Sequence, residues 1–326
     1  MLVDADARTI TYLRVSVTAN CNLACAYCLP RGKTGFTPHE NFLAADDFVR
    51  LVSVFAELGV ERVRITGGEP LLRKDILEIV GGIRALPGIR SVVLSTNGVL
   101  LEKLAGPLRD AGVSGVNVSV DSLDSETFRT MTAGGDLSRV LAGLEKAIEV
   151  GMDPVKVNTV ILRGVNEDDI ERCADLSARL PVVVRFIELM PTDENRDFQA
   201  DRFVSNDEIR TRLRENGTWR EVVVSERAGP ARYYSRGDGK GTVGFVSPMS
   251  HNFCANCNRL RLTAKGELRT CLFATEDVPL AQHLAHADWR PRIEATVRDA
   301  LRQKAPSHYL SEGRWGNMVS FVGVGG

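Results

Sequence analysis

Three cysteines, Cys21, Cys25 and Cys28, are the first residues in the chain that could bind a metal, and their spacing is C-x3-C-x2-C. They directly follow a predicted strand, and cofactors bind at the carboxyl ends of strands in parallel α/β folds. Three thiolates are one ligand short of a complete set for zinc or an iron–sulfur cluster, so one coordination position stays open. In a [4Fe–4S] cluster that open iron can bind a substrate or cosubstrate. A zinc site with a remote fourth ligand is the alternative.

A second group of cysteines lies near the other end of the chain. Cys254, Cys257 and Cys271 have the spacing C-x2-C-x13-C, and again there are only three. A structural zinc site that borrows a ligand such as His251 would explain these cysteines taken alone. An iron–sulfur cluster with an open position explains them equally well.

Two arginines, Arg259 and Arg261, favour the second interpretation. They follow Cys257 at alternating positions, so both side chains point to one face of a strand. Two guanidinium groups beside a metal site suit a substrate that carries phosphates or a purine, because they form bidentate hydrogen bonds. A solvent-exposed charged pair is the alternative. The seventh cysteine, Cys173, lies alone in a helical pattern and is expected to be a small buried hydrophobic residue.

Alternating strand-like and helix-like segments over residues 12–190 must position these groups. Helical patterns near 44–58, 74–86, 101–111, 138–150 and 167–179 lie between the predicted strands. Repeated βα units in series indicate a parallel sheet. After about residue 200 this rhythm is lost, and residues 229–245 predict short antiparallel strands with glycine-rich turns. The six predicted strands are Tyr12–Thr18, Glu61–Thr66, Ser91–Thr96, Gly115–Val120, Pro154–Ile161 and Val182–Leu189.

Several predicted strands are apolar on one face only. Strands that helices cover on both faces are apolar throughout, so the pattern favours a curled sheet with a polar interior. Arg14, Arg64 and Lys156 lie on the polar face, where unpaired burial of a charge is costly. An anionic ligand would offset that cost. Neighbouring acids could also neutralise these cations, although only Asp121 stands out as an acid on those faces.

The composition is that of a soluble globular protein, with 44% hydrophobic and 25% charged residues. The 41 basic and 42 acidic residues give a net charge of −1, which predicts no binding to nucleic acid. The sequence predicts neither a membrane-spanning helix nor a secretory signal, so no association with a membrane and a cytoplasmic location are expected.

The motifs together resemble those of the radical S-adenosylmethionine (SAM) superfamily. An aromatic residue before the third cysteine completes its signature, and Tyr27 occupies that position. The segment Thr66–Pro70 resembles the superfamily motif for the SAM amino group. The polar strand ends Ser95–Gly98 and Ser119–Asp121 match positions used for SAM or substrate, and Met190 stands where the family packs the adenine.

Within that superfamily the chain resembles the GTP 3′,8-cyclases over nearly its whole length. The resemblance implies conversion of GTP to (8S)-3′,8-cyclo-7,8-dihydroguanosine 5′-triphosphate, the first step of molybdopterin (molybdenum cofactor) biosynthesis. SAM would be cleaved to 5′-deoxyadenosine and methionine. The implied fold is α/β, with an incomplete (βα)6 TIM-like barrel over residues 1–216. Residues 217–326 would form a smaller C-terminal α+β region that carries a second [4Fe–4S] cluster and a Gly-Gly tail.

The resemblance also implies roles for individual residues. The first three cysteines would bind the [4Fe–4S] cluster that holds SAM, and the second three would bind a [4Fe–4S] cluster that faces the substrate. The implied SAM contacts are Tyr27, Gly68, Ser119 and Met190. The implied GTP contacts are Arg14, Arg64, Ser95, Lys156, Arg259 and Arg261. The implied catalytic residues are Arg259, Arg261, Gly325 and Gly326.

The chain departs from the family pattern at two places. Ser95 stands where relatives commonly carry threonine, and serine keeps the hydroxyl. The terminal glycines lie farther along the sequence from Met318 than is usual.

The implied partners are an electron donor of the flavodoxin or ferredoxin type and the cyclic pyranopterin monophosphate synthase that receives the product. The implied oligomeric state is a monomer or homodimer.

Two other functions remain open at this point. One is a radical SAM enzyme that modifies peptides through an auxiliary cluster. It would need a peptide-binding region, and none is evident before the first predicted strand. The other is a non-catalytic zinc or iron–sulfur binding protein.

Overall fold

The computed structural model describes residues 1–29, 42–223, 229–237, 241–319 and 321–324. The strands in chain order are β1 (Leu2–Val3), β2 (Thr9–Ile10), β3 (Tyr12–Ser16), β4 (Arg62–Thr66), β5 (Ser91–Thr96), β6 (Val113–Ser119), β7 (Val155–Thr159), β8 (Val183–Ile187), β9 (Trp219–Val222), β10 (Arg232–Arg236), β11 (Thr242–Val246), β12 (Arg259–Leu262), β13 (Glu267–Arg269) and β14 (Val278–Pro279). The α-helices are α1 (Ala45–Glu57), α2 (Ile76–Arg84), α3 (Leu101–Asp110), α4 (Ser125–Met131), α5 (Leu137–Glu149), α6 (Ile170–Arg179), α7 (Arg196–Arg202), α8 (Asn206–Glu215) and α9 (Trp289–Arg302).

One large sheet organises the molecule. Its strand order is β14-β13-β12-β3-β4-β5-β6-β7-β8-β11-β10-β9. The strands from β12 through β3–β8 to β11 pair in parallel, which makes eight parallel strands. Antiparallel strands extend the sheet at both ends. Within the described residues no pairing joins β14 to β9, so the curled sheet does not close into a barrel.

The six predicted strands and the parallel α/β architecture are confirmed. Residues 229–245 contain the antiparallel pair β10 and β11, also as predicted. However, β11 pairs in parallel with β8, and β12 pairs in parallel with β3, so the C-terminal part of the chain completes the sheet on both sides. The sequence did not predict this continuity. The boundary between residues 216 and 217 stays a prediction.

The core lies between the sheet and the helices on its outer face. On β3, Leu13 and Val15 are fully buried in that core, whereas Arg14 between them points to the opposite face. The apolar face of α1, including Phe48 and Phe55, is also fully buried. The alternation of apolar and polar residues along the strands therefore places a hydrophobic core on the outer face of the sheet, under the helices, and polar side chains on its inner face. No helix in the described part of the chain combines the length and apolarity needed to cross a bilayer.

Candidate active site

The first cysteine group lies in the loop that follows β3. The loop is fixed by main-chain hydrogen bonds, from Ala24 N to Thr132 O at 3.2 Å and from Ala26 N to Met131 O at 3.0 Å. Burial and, after it, the neighbouring Cys21 together raise the pKa of the Cys28 thiol to about 12. The thiols are thus close enough to affect one another. Positive charge from a bound metal would favour the thiolates that burial disfavours.

Gly68 allows the end of β4 to pack directly against this loop. A Cβ atom at this position would lie 2.4 Å from the carbonyl oxygen of Asn20, which is too close for any side chain. The main-chain N–H of Gly68 donates to Thr18 O at 2.8 Å, and that of Glu69 donates to Asn20 O at 2.7 Å. The structure therefore gives Gly68 a packing role next to Cys21, and its contact with SAM stays a prediction.

Glu69 ties the ends of two neighbouring strands together. Its fully buried carboxylate accepts hydrogen bonds from Leu71 N at 2.9 Å, Thr96 Oγ1 at 2.8 Å and Asn97 N at 2.7 Å. Burial raises the pKa of Glu69 to about 7, although these donors oppose the shift. The Asn97 amide in turn lies 3.9 Å from Cys21 Sγ. Sequence reasoning included Glu69 in a motif but did not identify this positioning role.

Tyr27 connects the cysteine loop to the residues that follow β6. Its hydroxyl donates to Asp121 Oδ2 at 2.7 Å, and Asp121 Oδ1 accepts from Val160 N at 2.9 Å. Burial raises the pKa of Asp121 to about 6. The amide of Asn195 donates to the carbonyls of both Tyr27 at 2.8 Å and Met190 at 3.3 Å. Two of the four predicted SAM contacts, Tyr27 and Met190, are therefore held together by one side chain.

A cavity of about 480 Å³ lies on the inner face of the sheet. Arg261, Arg14 and Arg64 occupy the same register position on the adjacent parallel strands β12, β3 and β4, so their side chains form a row along one wall. The second cysteine group lines the same cavity. The arginine pair and the cations predicted from strand alternation therefore meet at one site.

Seven basic side chains line this cavity, and no Asp or Glu is among its described lining residues. Burial lowers the pKa of Lys156 to about 7, with nearby Arg185 and Arg64 acting in the same direction. The buried Nε of Arg64 has no hydrogen-bond partner within the described ranges. Neutralisation by acids lining the site, the alternative left open above, is not observed there. The seven are Arg14, Arg62, Arg64, Lys156, Arg185, Arg259 and Arg261.

Arg185 is a cavity cation that sequence reasoning missed. It is only 5% exposed and donates to Asn158 Oδ1 at 3.0 Å and to Asn117 Oδ1 at 2.7 Å. Burial, reinforced by Arg64, lowers its pKa to about 10. Its signal was present in the sequence, because a single arginine interrupts the otherwise apolar run of β8 as Arg14 interrupts that of β3.

The second cysteine group has a different electrostatic environment from the first. Burial raises the pKa of the Cys254 thiol, but hydrogen bonds involving His308 outweigh this effect and bring the pKa to about 7. Burial also raises the pKa of the Cys257 thiol, but the positive charges of Arg259 and Lys304 oppose it, and the pKa is lowered overall. His251, the ligand suggested for a zinc site, is exposed, and its Nε2 lies 2.8 Å from Asp207 Oδ2.

Across the described ranges, no three His, Cys, Asp or Glu side chains converge as ligands of one metal ion do. The cysteines of a [4Fe–4S] cluster differ from such ligands, because each binds a different iron. Cys173 is 1% exposed within the hydrophobic core, as predicted.

Ser95 and Ser119 lie on β5 and β6, outside the described lining of the cavity. Ser95 Oγ accepts from Asn117 Nδ2 at 3.3 Å. Their contacts with GTP and SAM stay predictions.

The C-terminal tail approaches the cavity. Asp193 N donates to Met318 O at 2.9 Å, and Arg261 donates to Val324 O at 3.0 Å. Gly325 and Gly326 themselves lie outside the described residues.

Two family models together match most of the chain. The model of the radical SAM superfamily matches residues 15–177, and the model described as Molybdenum Cofactor Synthesis C matches residues 182–310. A relative from Alkaliphilus metalliredigens named GTP 3′,8-cyclase is 40% identical over 308 residues, covering 94% of each chain. A relative of the same name from Desulforamulus reducens is 39% identical and covers 100% of both chains.

Solved structures show a similar fold at low sequence identity. Streptococcus suis SuiB bound to S-adenosylmethionine matches with a TM-score of 0.62 at 14% identity, covering 90% of this chain and 68% of that one. SuiB bound to its precursor peptide SuiA matches with a TM-score of 0.64 at 15% identity, covering 91% of this chain and 67% of that one. At this identity the similarity concerns the fold alone.

Proposed function

The chain belongs to the radical SAM superfamily and, within it, to the GTP 3′,8-cyclase family of molybdenum cofactor biosynthesis, and from this premise we propose how its site performs the reaction. The enzyme acts on GTP and uses SAM with a [4Fe–4S] cluster. The reaction converts GTP to (8S)-3′,8-cyclo-7,8-dihydroguanosine 5′-triphosphate, and SAM is cleaved to 5′-deoxyadenosine and methionine. The proposal concerns the second cluster, the residue roles and the partners.

The composition of the cavity wall carries the proposal. Seven cations line it, whereas no described acid does, and three cysteines lie beside them. A nucleoside triphosphate supplies several negative charges along its length, which would compensate this wall. The purine would lie toward the second cysteine group, where Arg259 and Arg261 can reach it.

Both cysteine groups fit the ligation of iron–sulfur clusters. Each offers three thiols at least partly buried, and the first three affect one another's pKa. In the second group, Cys257 and Cys271 both lie near enough to Arg261 to raise its pKa against the larger effect of burial. We therefore assign one [4Fe–4S] cluster to each group. When bound, the cluster at the first group supplies the one-electron chemistry that cleaves SAM.

The residues of this chain bind and orient GTP and SAM, and they exclude water from the site. Arg14, Arg64 and Lys156 hold the phosphates, and their strands fix the spacing between them. Arg259 and Arg261 hold the base and the cyclised intermediate. We assign the contacts with SAM to Tyr27, Gly68, Ser119 and Met190. The Asn195 amide connects Tyr27 to Met190. We also assign a catalytic role to Gly325 and Gly326, which follow Val324 in the sequence; the Val324 carbonyl accepts a hydrogen bond from Arg261.

The surroundings of the reaction complete the proposal. An electron donor of the flavodoxin or ferredoxin type supplies the reducing electron, and the cyclic pyranopterin monophosphate synthase receives the product. We propose a cytoplasmic monomer or homodimer.

Anaerobic incubation of the reconstituted chain with SAM, dithionite and each nucleoside triphosphate in turn tests the function. We expect cyclised nucleotide from GTP only, with 5′-deoxyadenosine formed alongside it. Liquid chromatography with mass spectrometry measures both products. ATP, which offers the same triphosphate on a different purine, is the matched control. Conversion of ATP as fast as GTP, or no cyclised product from GTP, would contradict the proposal.

A further inference from the structure

Arg8 is a buried side chain that the reaction described above does not use. Its guanidinium donates three hydrogen bonds to main-chain carbonyls: to Cys254 at 3.0 Å, to Pro306 at 2.7 Å and to Ala305 at 2.9 Å. The carbonyls belong to two segments that are distant in sequence, one of which contains a cysteine of the second group. One side chain thus joins the second cysteine group to the segment after α9.

Asp4 holds Arg8 in this position. The Nε of Arg8 donates to Asp4 Oδ2 at 2.7 Å, and the side chains of Arg8 and Asp4 are 6% and 0% exposed. Asp4 Oδ1 also accepts the main-chain N–H of Arg8 at 3.0 Å. The β1–β2 hairpin that carries the pair is anchored by Leu2 and Ile10, both fully buried. A guanidinium with a fixed partner and a fixed backbone is preorganised to bind further acceptors.

The segment that Arg8 binds leads into a residue that donates a hydrogen bond to Cys254. Residues 305 and 306 come just before His308, whose main-chain N–H lies 3.5 Å from Cys254 Sγ and donates to it. Because Arg8 binds the carbonyl of Cys254 and those of Ala305 and Pro306, it fixes the donor and the acceptor of this N–H···S hydrogen bond. Lys304, 4% exposed, ties the same segment to the carbonyl of Thr270, next to Cys271.

We propose that Arg8 is a positioning residue for the second cysteine group, because it holds the His308 N–H against the sulfur of Cys254. This inference rests on the proposed function, in which that group binds a cluster. A hydrogen bond to a ligating sulfur stabilises the more negative, reduced state and so raises the reduction potential of a cluster. Loss of Arg8 would therefore lower the potential of the second cluster and leave the first unchanged.

The test begins with the metal-free chain, because the position of Cys254 can be measured without any cluster. Arg8→Gln, Arg8→Lys and Asp4→Asn are compared with the parent for the rate at which iodoacetamide alkylates each cysteine, read by peptide mass spectrometry. Alkylation is measured well above the pKa of the Cys254 thiol, so that the parent and the variants do not differ in its ionisation. Under that condition we expect Cys254 to react about tenfold faster in Arg8→Gln, because its thiolate loses a stabilising N–H donor; tenfold corresponds to the loss of one or two hydrogen bonds. Cys21, Cys25 and Cys28 should react at parent rates.

The second measurement is a redox titration followed by electron paramagnetic resonance. It uses the full chain with Cys21, Cys25 and Cys28 changed to Ala, so that only the second cluster contributes. We expect a lower potential in Arg8→Gln and partial recovery in Arg8→Lys, which keeps the charge beside Asp4 but not the geometry for three carbonyls. Arg50→Gln is the matched control, because Arg50 also joins a carbonyl, Leu284 O at 2.8 Å, to an aspartate, Asp47 at 3.0 Å, away from the cysteines.

The outcomes distinguish the positioning role of Arg8 from the proposed binding of a cluster by the second cysteine group. Parent-like alkylation of Cys254 or a parent-like potential in Arg8→Gln, in a chain that retains the parent circular dichroism spectrum, would overturn the inference. A potential lowered equally in Arg50→Gln would do the same. If the second group of the parent takes up no iron, the proposed function fails there, while the alkylation rates still decide whether Arg8 positions Cys254.

Discussion

Arg259 and Arg261 lie in surroundings that a solvated surface pair would not have. Arg261 is 6% exposed and shares its register with Arg14, and Arg259 lies 4.9 Å from the ring of Phe253. A charge-assisted hydrogen bond contributes about 1.5–3 kcal/mol, and each 1.4 kcal/mol changes a binding constant about tenfold. Either Arg→Ala change should therefore weaken GTP binding by about one to two orders of magnitude.

Lysine at either position should restore GTP binding only in part, because an ammonium group cannot form the bidentate contacts of a guanidinium. Equilibrium binding and turnover with GTP are the measurements, and SAM cleavage and iron content serve as controls. Parent-like affinity and turnover in both alanine variants would show that this pair has no role in binding.

Lys156 predicts a pH dependence of GTP binding. Burial brings its pKa in the free protein to about 7, so it is charged below that pH and neutral above it. A bound phosphate favours the charged form and raises the pKa again. Between these two pKa values, GTP binding should take up a proton, and affinity should fall as pH rises above about 7.

Isothermal titration calorimetry at pH 8 in buffers of different ionisation enthalpy measures this proton uptake. Lys156→Arg should abolish most of it, since arginine stays charged at this pH. The same uptake in the parent and in Lys156→Arg would assign the proton to another group.

The residue types of the site were largely predictable, but their partners were not. Alternation along β3, β4 and β7 placed Arg14, Arg64 and Lys156 on the inner face because strand side chains alternate strictly. The acceptors of Arg8 and the donors around Glu188 come from distant segments. Glu188 accepts from Met249 N at 2.9 Å and Ser250 N at 3.0 Å, and so orders the approach to the second cysteine group. Only the folded chain reveals such contacts.

At the scale of elements, the close packing of the turn after β4 means that one added methyl group should disturb the first cysteine group. Gly68→Ala would place its Cβ 2.4 Å from Asn20 O, so the cysteine loop or the strand end must shift. We expect reduced iron at the first group and loss of SAM cleavage, with the second group still loaded. Iron analysis and 5′-deoxyadenosine formation are the measurements.

Gly81→Ala is the control for that change. Gly81 lies within α2, and a Cβ there meets no atom within 4 Å. Alanine should stabilise the helix by about 0.5–1 kcal/mol and leave the iron content unchanged. Equal iron content in the Gly68→Ala and Gly81→Ala chains would contradict the packing role of Gly68.

The periodic elements up to residue 190 were predicted well, but no helix was predicted after residue 179. Even α9 was missed, although it has 14 residues and buries Ile293, Val297 and Leu301 at helical spacing. Helix α1 followed from its apolar face, which is buried as expected. Helix α4 was missed because it has seven residues, and α8 because its sequence is largely charged. The start of α8 did carry a readable signal: Ser205 and Glu208 form a capping box at the spacing that defines it.

At the scale of the whole molecule, the two cysteine groups should be separable in function. The parent should hold two clusters, about eight irons per chain if each group carries four. Changing Cys21, Cys25 and Cys28 to Ala should remove one cluster and all SAM cleavage. Changing Cys254, Cys257 and Cys271 to Ala should preserve part of the SAM cleavage but abolish product from GTP.

Iron analysis, 5′-deoxyadenosine formation and GTP turnover distinguish these variants. Formation of 5′-deoxyadenosine by the first variant would refute the assignment of SAM to that group. GTP cyclisation at the parent rate by the second would make the second group structural.

The two parallel strands contributed by the C-terminal part of the chain determine when the protein can fold during synthesis. Strand β3 leaves the ribosome long before its neighbour β12, since Asn258 and Thr11, which meet at this junction, are 247 residues apart. Until these neighbours are made, β11 for β8 and β12 for β3, each of the two strands presents an unpaired edge, the kind of surface on which nascent chains aggregate. The row of Arg261, Arg14 and Arg64 is complete only when β12 pairs with β3, so the full set of cavity cations forms late in synthesis.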